Sequence, residues 1–302
     1  MDNLTHSLVG AILGRRGLNR LSPRAMPALI VSANLPDIDS WIASPLGLSA
    51  RTFHRGFTHG VGGLVVMPLI AVAIIWLWER LWPGKEGPIR LGGLLLACFV
   101  GVLSHLFLDF LNTYGIRLLE PFSHRWFYGD TLFIVDPWVW ITLILGLEFS
   151  WRAERLGRNW KRPAAYAFSA VLAYIGVNAA ISAQAVAATR PLAERIDQPR
   201  MIVAGEVPLI FWHRQVMWRG DKLAGTADYD PFAGAKLEPR IAPLGLDDPR
   251  LAVAERSDAD VRNFLFWSRM PLVIHLDGRA YLSDQRFPAL RRTTFLVPLD
   301  KR

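Results

Sequence analysis

Long apolar runs alternate with short polar connections over the first two thirds of the chain. Residues 61–78 are almost uncharged, and residues 91–111 form a second long apolar run. At 1.5 Å per residue, a helix over either run crosses most of a bilayer's hydrocarbon core. A shorter run over residues 137–151 and a small-residue-rich run over residues 164–188 follow. The pattern therefore predicts about four membrane segments, the third of them short for a span.

Two shorter helices precede these runs. Apolar residues recur at helical spacing over residues 3–14, with Asp2 placed as an N-cap. Pro23 favours the start of a second helix, which must end before Pro36 because the residue preceding a proline disfavours the α conformation. We therefore expect irregular backbone over residues 34–39.

The character of the chain changes at about Thr189, where short alternating segments, charges and prolines begin. Asp277 and Gly278 lie between two strand-like runs, which predicts a tight hairpin. Residues 257–269 are typical of one capped helix. His213 and His275, each alone on a predicted strand, are more often surface or hydrogen-bonded histidines than metal ligands.

Composition and charge indicate a membrane protein with an extramembrane part. Hydrophobic residues make up 52% of the 302 residues, and the net charge of +8 comes mostly from scattered arginines. Such scattered charge is typical of membrane-flanking segments, and no nucleic-acid partner is expected. Cys98 is the only cysteine, which excludes an intrachain disulfide or a cysteine-based zinc site. The N-terminus lacks a basic stretch, so we expect no cleavable signal peptide and retention of His6.

His105 and Asp109 stand four residues apart near the end of an apolar run. On a helix they lie within roughly 40° of each other, so both could reach one cation. An ionised aspartate in apolar surroundings carries a large desolvation cost, which a divalent metal removes. An ordinary buried histidine–aspartate hydrogen bond is the alternative.

Further candidate ligands lie in the turns before the first long run. Asp37 and Asp39 follow a proline, although either could simply cap or turn the chain. His54 and His59 are five apart, so they cannot share a helix face, and Gly56 suggests a turn at His54. Two consecutive spans return the chain to the side it left. The candidate ligands therefore fall at one membrane face: His6, Asp37, Asp39, His54, His59, His105 and Asp109.

Together these motifs resemble the membrane-bound metal-dependent hydrolases of the YdjM type. The resemblance rests on Thr5-His6, on residues 35–39 and 54–59, and on His105-x-x-x-Asp109. That family is distantly similar to zinc-dependent phospholipase C and the single-strand nucleases of the P1 type. The resemblance implies that the seven candidates bind zinc or another divalent metal. Those soluble enzymes carry a second His-x-x-x-acid pair, which is missing after residue 109, so we expect one or two ions.

Such a site predicts a metal-dependent hydrolase, most simply a phospholipase C-like esterase or phosphodiesterase. A zinc ion held by histidine and aspartate lowers the pKa of a water toward 7 and polarises a phosphoryl or carbonyl oxygen. Asp39 is the first candidate to accept the proton and Asp136 the second, although Asp136-Pro137 is also a typical helix start. Arg55 and Arg125 could neutralise a phosphate. A phosphoester or lipid ester at the membrane surface is the expected substrate.

The predicted fold is mainly α: a polytopic membrane helical bundle with a metal site at one face (residues 1–190), followed by a small strand-containing α+β domain (residues 191–302). The alternative function is a non-catalytic membrane protein that binds metal for stability or transport. A transporter places polar ligands near mid-membrane, whereas these lie at span ends and in loops, which favours the enzyme.

Basic residues predict the orientation in the inner (cell) membrane. Residues 79–90 carry three and residues 152–162 carry five, against two in residues 112–130. The positive-inside tendency puts the first two connections in the cytoplasm. We therefore expect a multi-pass protein whose site lies on the non-cytoplasmic face.

Overall fold

The chain divides into two compact units in a computed structural model that describes residues 1–287 and 295–300. The first unit comprises Met1–Pro45 and Phe53–Ala179, and the second comprises Leu46–Thr52 and Ala180–Arg302. The expected division of the chain into a membrane part and an extramembrane part at residue 190 stays a prediction.

Helices dominate the first two thirds of the chain. The Asp2 side chain accepts hydrogen bonds from the backbone N–H groups of Leu4 and Thr5, so the predicted N-cap of the first helix is confirmed. The helices in chain order are α1 (Asn3–Arg15), α2 (Ala25–Asn34), α3 (Ile38–Ala43), α4 (Ala50–Phe53), α5 (Val61–Leu81), α6 (Leu91–Phe110), α7 (Pro137–Arg155) and α8 (Lys161–Ala193).

Three helices of the described chain are long and apolar enough to cross a membrane, namely α5, α6 and α8. Helix α7, which we expected as a short fourth segment, is not among them. It runs four residues past the expected end at Trp151, and its last turns carry Glu148, Arg152, Glu154 and Arg155. These charges lower the apolar character of the helix below what a span needs. The described structure thus offers three candidate spans instead of about four.

The expectation of irregular backbone over residues 34–39 is wrong. Helix α2 ends before Pro36 as predicted, at Asn34, but a 3-10 turn (Leu35–Asp37) and then α3 follow directly. Proline is tolerated in the first turn of a helix, where its missing N–H would have no partner. The chain therefore turns compactly at Pro36, and Asp37 and Asp39 lie on short helical segments.

Helix α2 is held closely between α1 and α6 by glycines on its two neighbours. A Cβ at Gly10 on α1 would lie 2.9 Å from the Leu29 carbonyl oxygen. A Cβ at Gly101 on α6 would lie 2.9 Å from the same oxygen and would overlap the Ser32 hydroxyl. Such close approach is typical of membrane helices packed through small residues. It brings the C-terminal end of α2 against α6, near His105.

We expect Gly101→Ala to lower the free energy of unfolding by about 1–3 kcal/mol, because the added methyl group overpacks the contact between α2 and α6. Gly92→Ala is a matched control on the same helix, since a Cβ there meets nothing within 4 Å. Denaturant unfolding of both variants in one detergent measures the difference. Equal stabilities would show that the approach of α2 to α6 is looser than described.

In the second unit, the described residues after Ala193 form two antiparallel sheets and two helices. The hairpin predicted at Asp277 and Gly278 is confirmed, and both residues have the positive φ that a tight turn requires. The capped helix expected over residues 257–269 is present over Ala259–Trp267 with Asp258 as its N-cap, and a helix that the sequence did not predict directly precedes it. The four-stranded sheet contains β1 (Met201–Glu206), β2 (Arg214–Arg219), β3 (Leu223–Asp230) and β4 (Gly234–Pro243); the helices are α9 (Pro249–Ser257) and α10 (Ala259–Trp267); the three-stranded sheet contains β5 (Pro271–Leu276), β6 (Arg279–Asp284) and β7 (Leu296–Pro298).

The two histidines of the second unit have partners there. His213 Nε2 lies 2.7 Å from Asp230 Oδ2. His275 Nε2 lies 2.7 Å from Arg250 Nη2. These contacts account for both side chains without a metal.

Candidate metal centre

Helix α6 presents His105 and Asp109 on one face, and both side chains are fully buried. The end of α2 and the 3-10 turn that follows it bring Asp37 to the same place. A second 3-10 turn, Phe57–His59, precedes α5 and contributes His59. The predicted turn at His54 is present, and His59 lies at the start of α5 as predicted.

The orientation of the His105 ring is fixed by the backbone of α2. Its Nδ1 lies 2.7 Å from the carbonyl oxygen of Ala33. A carbonyl oxygen can only accept a hydrogen bond, so Nδ1 carries the proton. The neutral ring therefore presents the lone pair of Nε2 to the site.

A hydrogen-bond relay orients the His59 ring in the same sense. The Thr58 hydroxyl lies 2.5 Å from Asp39 Oδ2 and 2.9 Å from His59 Nδ1. The hydroxyl group uses its single proton to donate a hydrogen bond to the carboxylate. Its oxygen therefore accepts a hydrogen bond from the N–H group at Nδ1. Nε2 of His59 consequently carries a lone pair as well. Metal-binding histidines are typically oriented by a carboxylate through hydrogen bonds at the other ring nitrogen.

Four ligand atoms, from Asp37, His59, His105 and Asp109, lie within 4.8 Å of one another. The two Nε2 atoms are 3.0 Å apart. Asp37 Oδ1 lies 3.5 and 3.6 Å from Nε2 of His59 and His105, and Asp109 Oδ2 lies 3.4 and 3.9 Å from them. Ligands about 2.0–2.1 Å from a tetrahedral zinc ion lie about 3.3 Å from one another. The residues therefore fit a divalent cation. Such an ion would bind the two Nε2 lone pairs that face each other and would neutralise the two carboxylates.

Asp39 is buried and its oxygens are already bonded. Oδ1 lies 2.7 Å from His54 Nδ1, while Oδ2 accepts from Thr58 and from the backbone N–H of Arg55. Burial raises the pKa of the Asp39 carboxyl, but the contacts with His54 and His59 outweigh burial and hold the pKa well below its usual range. These contacts favour a positioning role for Asp39. Asp37, Asp39 and His54 also form a second group with metal-ligand spacing.

His6 on α1 lies against the four ligands. Its ring stacks on His105 with 3.9 Å between centroids, and its Nε2 lies 3.3 Å from Asp109 Oδ1. The same Asp109 oxygen contacts the amino group of Met1. Neither ring nitrogen of His6 has a hydrogen-bond partner among the described residues. Burial lowers the pKa of the His6 imidazole well below its usual range, and the neighbouring His105 adds to this effect. A neutral, unpartnered imidazole here is consistent with a further metal ligand.

Arg55 extends from the site toward the loop after α6. Its Nη1 donates to Asn112 Oδ1 at 2.9 Å, and its Nη2 lies 3.0 Å from Asp109 Oδ2 without the geometry of a hydrogen bond. Burial lowers the pKa of Arg55 to about 10, so the guanidinium is charged at neutral pH. Its backbone has a φ of 60°, a strained value for a non-glycine residue.

Asp136 stands outside both ligand groups. Its Oδ1 accepts hydrogen bonds from the backbone N–H groups of Trp138 and Val139, and its Oδ2 accepts one from the Tyr174 hydroxyl. The helix-capping interpretation of Asp136 therefore accounts for its position. Arg125, the other candidate for phosphate binding, is exposed and lies over the Phe127 ring.

Sequence reasoning missed three groups that orient the site. They are the Ala33 carbonyl, the Thr58 hydroxyl and the Asn112 amide. Asn112 stands three residues after Asp109, which is a helical spacing that could have identified it. Thr58 could have been identified by its position next to His59 in the sequence. A backbone carbonyl leaves no trace in the sequence.

A sequence model of the YdjM inner membrane protein family matches residues 1–185, which include all the candidate ligands. The chain belongs to this family. Among its relatives, inner membrane protein YbcI of Escherichia coli (strain K12) is 30% identical over 50% of this chain and 98% of its own length. Inner membrane protein YdjM of the same strain is 34% identical over 33% of this chain and 50% of its own length.

A match outside Escherichia coli covers a similar part of the chain. The uncharacterised protein YfhP of Bacillus subtilis (strain 168) is 28% identical over 47% of this chain, and the match spans 44% of YfhP. No solved structure matches the chain. Together with the candidate spans, the relatives support an inner membrane location for this YdjM-family protein.

Proposed function

We propose that this YdjM-family protein is a membrane-bound metal-dependent hydrolase that cleaves a phosphoester or lipid ester at the membrane surface. The convergence of four ligand atoms from Asp37, His59, His105 and Asp109 carries the proposal. A divalent metal held there supplies the acidity that makes water a nucleophile near neutral pH and polarises a phosphoryl or carbonyl oxygen.

The burial of the ligands indicates where substrate reaches the site. The side chains of His59, His105 and Asp109 have no exposed surface, whereas Asp37 is 13% exposed and His54 is 29% exposed. Substrate and water therefore approach past Asp37 and His54. An ester group at the membrane surface could reach the site at this partly exposed end.

His54 is placed to move a proton at this opening. Asp39 binds its Nδ1 at 2.7 Å, which orients the ring. His54 could also join Asp37 and Asp39 in holding a second ion. Because its Nδ1 is already bound by Asp39, we favour proton transfer at Nε2. The buried contacts of Arg55 favour positioning of Asp109 over phosphate binding.

We expect the purified protein to hydrolyse at least one member of a panel of phosphomonoesters, phosphodiesters and lipid esters. Chelation and His105→Ala should each abolish this turnover, and added zinc should restore it only in the chelated wild type. His54→Gln should keep its metal while losing about 10²–10⁴-fold in rate, the usual contribution of a proton-transfer group. A protein that holds metal without chelator-sensitive turnover on the panel would favour the binding or transport alternative.

A further inference from the structure

A cavity of about 790 Å³ lies between α7 and α8 in the first unit, and it contains none of the candidate metal ligands. Its deep end lies at Gly146 and Ala167, where a Cβ on the glycine would overlap the alanine methyl group. Phe149, Ala170 and Tyr166 line its walls. The cavity is therefore a mostly apolar cleft, closed at one end by tight helix packing.

Three arginines, Arg152, Arg158 and Arg162, line the other end of the cavity. Arg152 pairs with Glu148, with 2.7 Å between Nε and Oε1. Arg158 and Arg162 have no carboxylate partner in the part of the chain that the structure describes.

No nearby acid offsets these two charges. Residues 156–160, which connect α7 to α8, contain no acidic residue, and Glu154 in the last turn of α7 pairs with Arg15 at 2.7 Å. Two uncompensated positive charges therefore stand at the mouth of an apolar cleft.

The mouth of the cleft lies at the start of a candidate membrane span. Helix α8 is a candidate span that begins at Lys161, so Arg158 lies just before its first turn and Arg162 lies within it. Tyr166, one turn further along, is of a type enriched at membrane interfaces. Basic residues clustered next to the end of a membrane helix are typical of anionic lipid binding.

We propose that this cleft binds one anionic glycerophospholipid. Its phosphate pairs with Arg158 and Arg162, and an acyl chain lies along Phe149 and Ala170 toward Ala167. The apolar walls favour a lipid over a free phosphate, which would leave most of the cleft without a partner. The site is independent of the metal centre and of the proposed hydrolysis.

Native mass spectrometry of the delipidated protein with added phosphatidylglycerol or phosphatidylcholine of the same acyl chains tests this proposal. We expect preferential phosphatidylglycerol binding that Arg158→Gln/Arg162→Gln weakens at least about tenfold. Arg155→Gln/Arg80→Gln removes the same charge outside the cleft and should leave binding within about twofold of wild type. Ala170→Phe, which fills the apolar wall without changing charge, should also weaken binding.

Three results would overturn the proposal. Equal loss in the two double variants would show non-specific attraction to a basic surface. Equal binding of phosphatidylcholine would show that the arginines do not select the headgroup. Displacement of the lipid by glycerol 3-phosphate at the same concentration would identify a site for a soluble phosphate instead.

Discussion

Replacing His105 with alanine should leave the purified protein with less than about a tenth of the divalent metal held by the wild type. Replacing a residue that only hydrogen-bonds to a metal ligand typically costs 10- to 100-fold in metal affinity, and His105 is placed as a direct ligand. The Ala33 carbonyl fixes its ring so that Nε2 faces His59 and Asp109. Elemental analysis of protein purified without added metal measures the difference.

His124→Ala is the control for this experiment. His124 is a histidine of the same unit whose side chain is 70% exposed, and it pairs with Glu120 away from the ligand groups. Its replacement should leave the metal content unchanged. Equal metal content in His105→Ala and in the wild type would remove His105 from the site.

Arg55→Met should lower the free energy of unfolding by about 3–5 kcal/mol, the usual cost of removing one partner of a buried ion pair. Arg55 is only 5% exposed, so solvent screens its charge little. Its loss leaves Asp109 and Asn112 without the guanidinium that they face. The cost should be larger in chelated protein, because Asp109 then lacks the metal as well.

Denaturant unfolding in detergent, with and without chelator, measures both effects. Arg125→Met removes an exposed arginine that only stacks on Phe127 and should change stability by less than about 0.5 kcal/mol. Arg55→Lys keeps the charge but not the planar fork, so an intermediate loss is expected. A loss in Arg55→Met no larger than in Arg125→Met would show that Arg55 does not support Asp109.

The location of the candidate site could be predicted because it depends on helical periodicity. The spacing of His105 and Asp109 places both on one buried face of α6, and Gly56 indicated the turn at His54. Two consecutive apolar runs then predict that the ends carrying these residues come together. Such inferences need only local spacing and chain direction.

Side-chain orientation could not be predicted in the same way. The proton on His59 Nδ1 follows from Thr58 and Asp39, and the orientation of His105 depends on a carbonyl of another helix. These contacts arise from tertiary packing. For the same reason Asp39, our first candidate to accept a proton, proves to be bonded through both oxygens.

Local rules also failed where two of them compete. Pro36 was expected to interrupt regular structure, yet its place at the start of a helical turn allows the chain to continue. Helix α7 has an apolar face but also a charged end. The prediction of a membrane segment rested on the apolar residues and did not include the charged end. The sidedness of the site, which depends on loop charges, stays a prediction.

X-ray absorption at the edge of the bound metal tests the metal centre most directly. For zinc we predict nitrogen and oxygen ligands at about 2.0–2.1 Å with imidazole scattering from at least two rings. One ring should be lost in His105→Ala samples reloaded with zinc. A protein without stoichiometric metal, or a metal whose spectrum lacks imidazole scattering, would contradict the assignment of His59 and His105 as ligands.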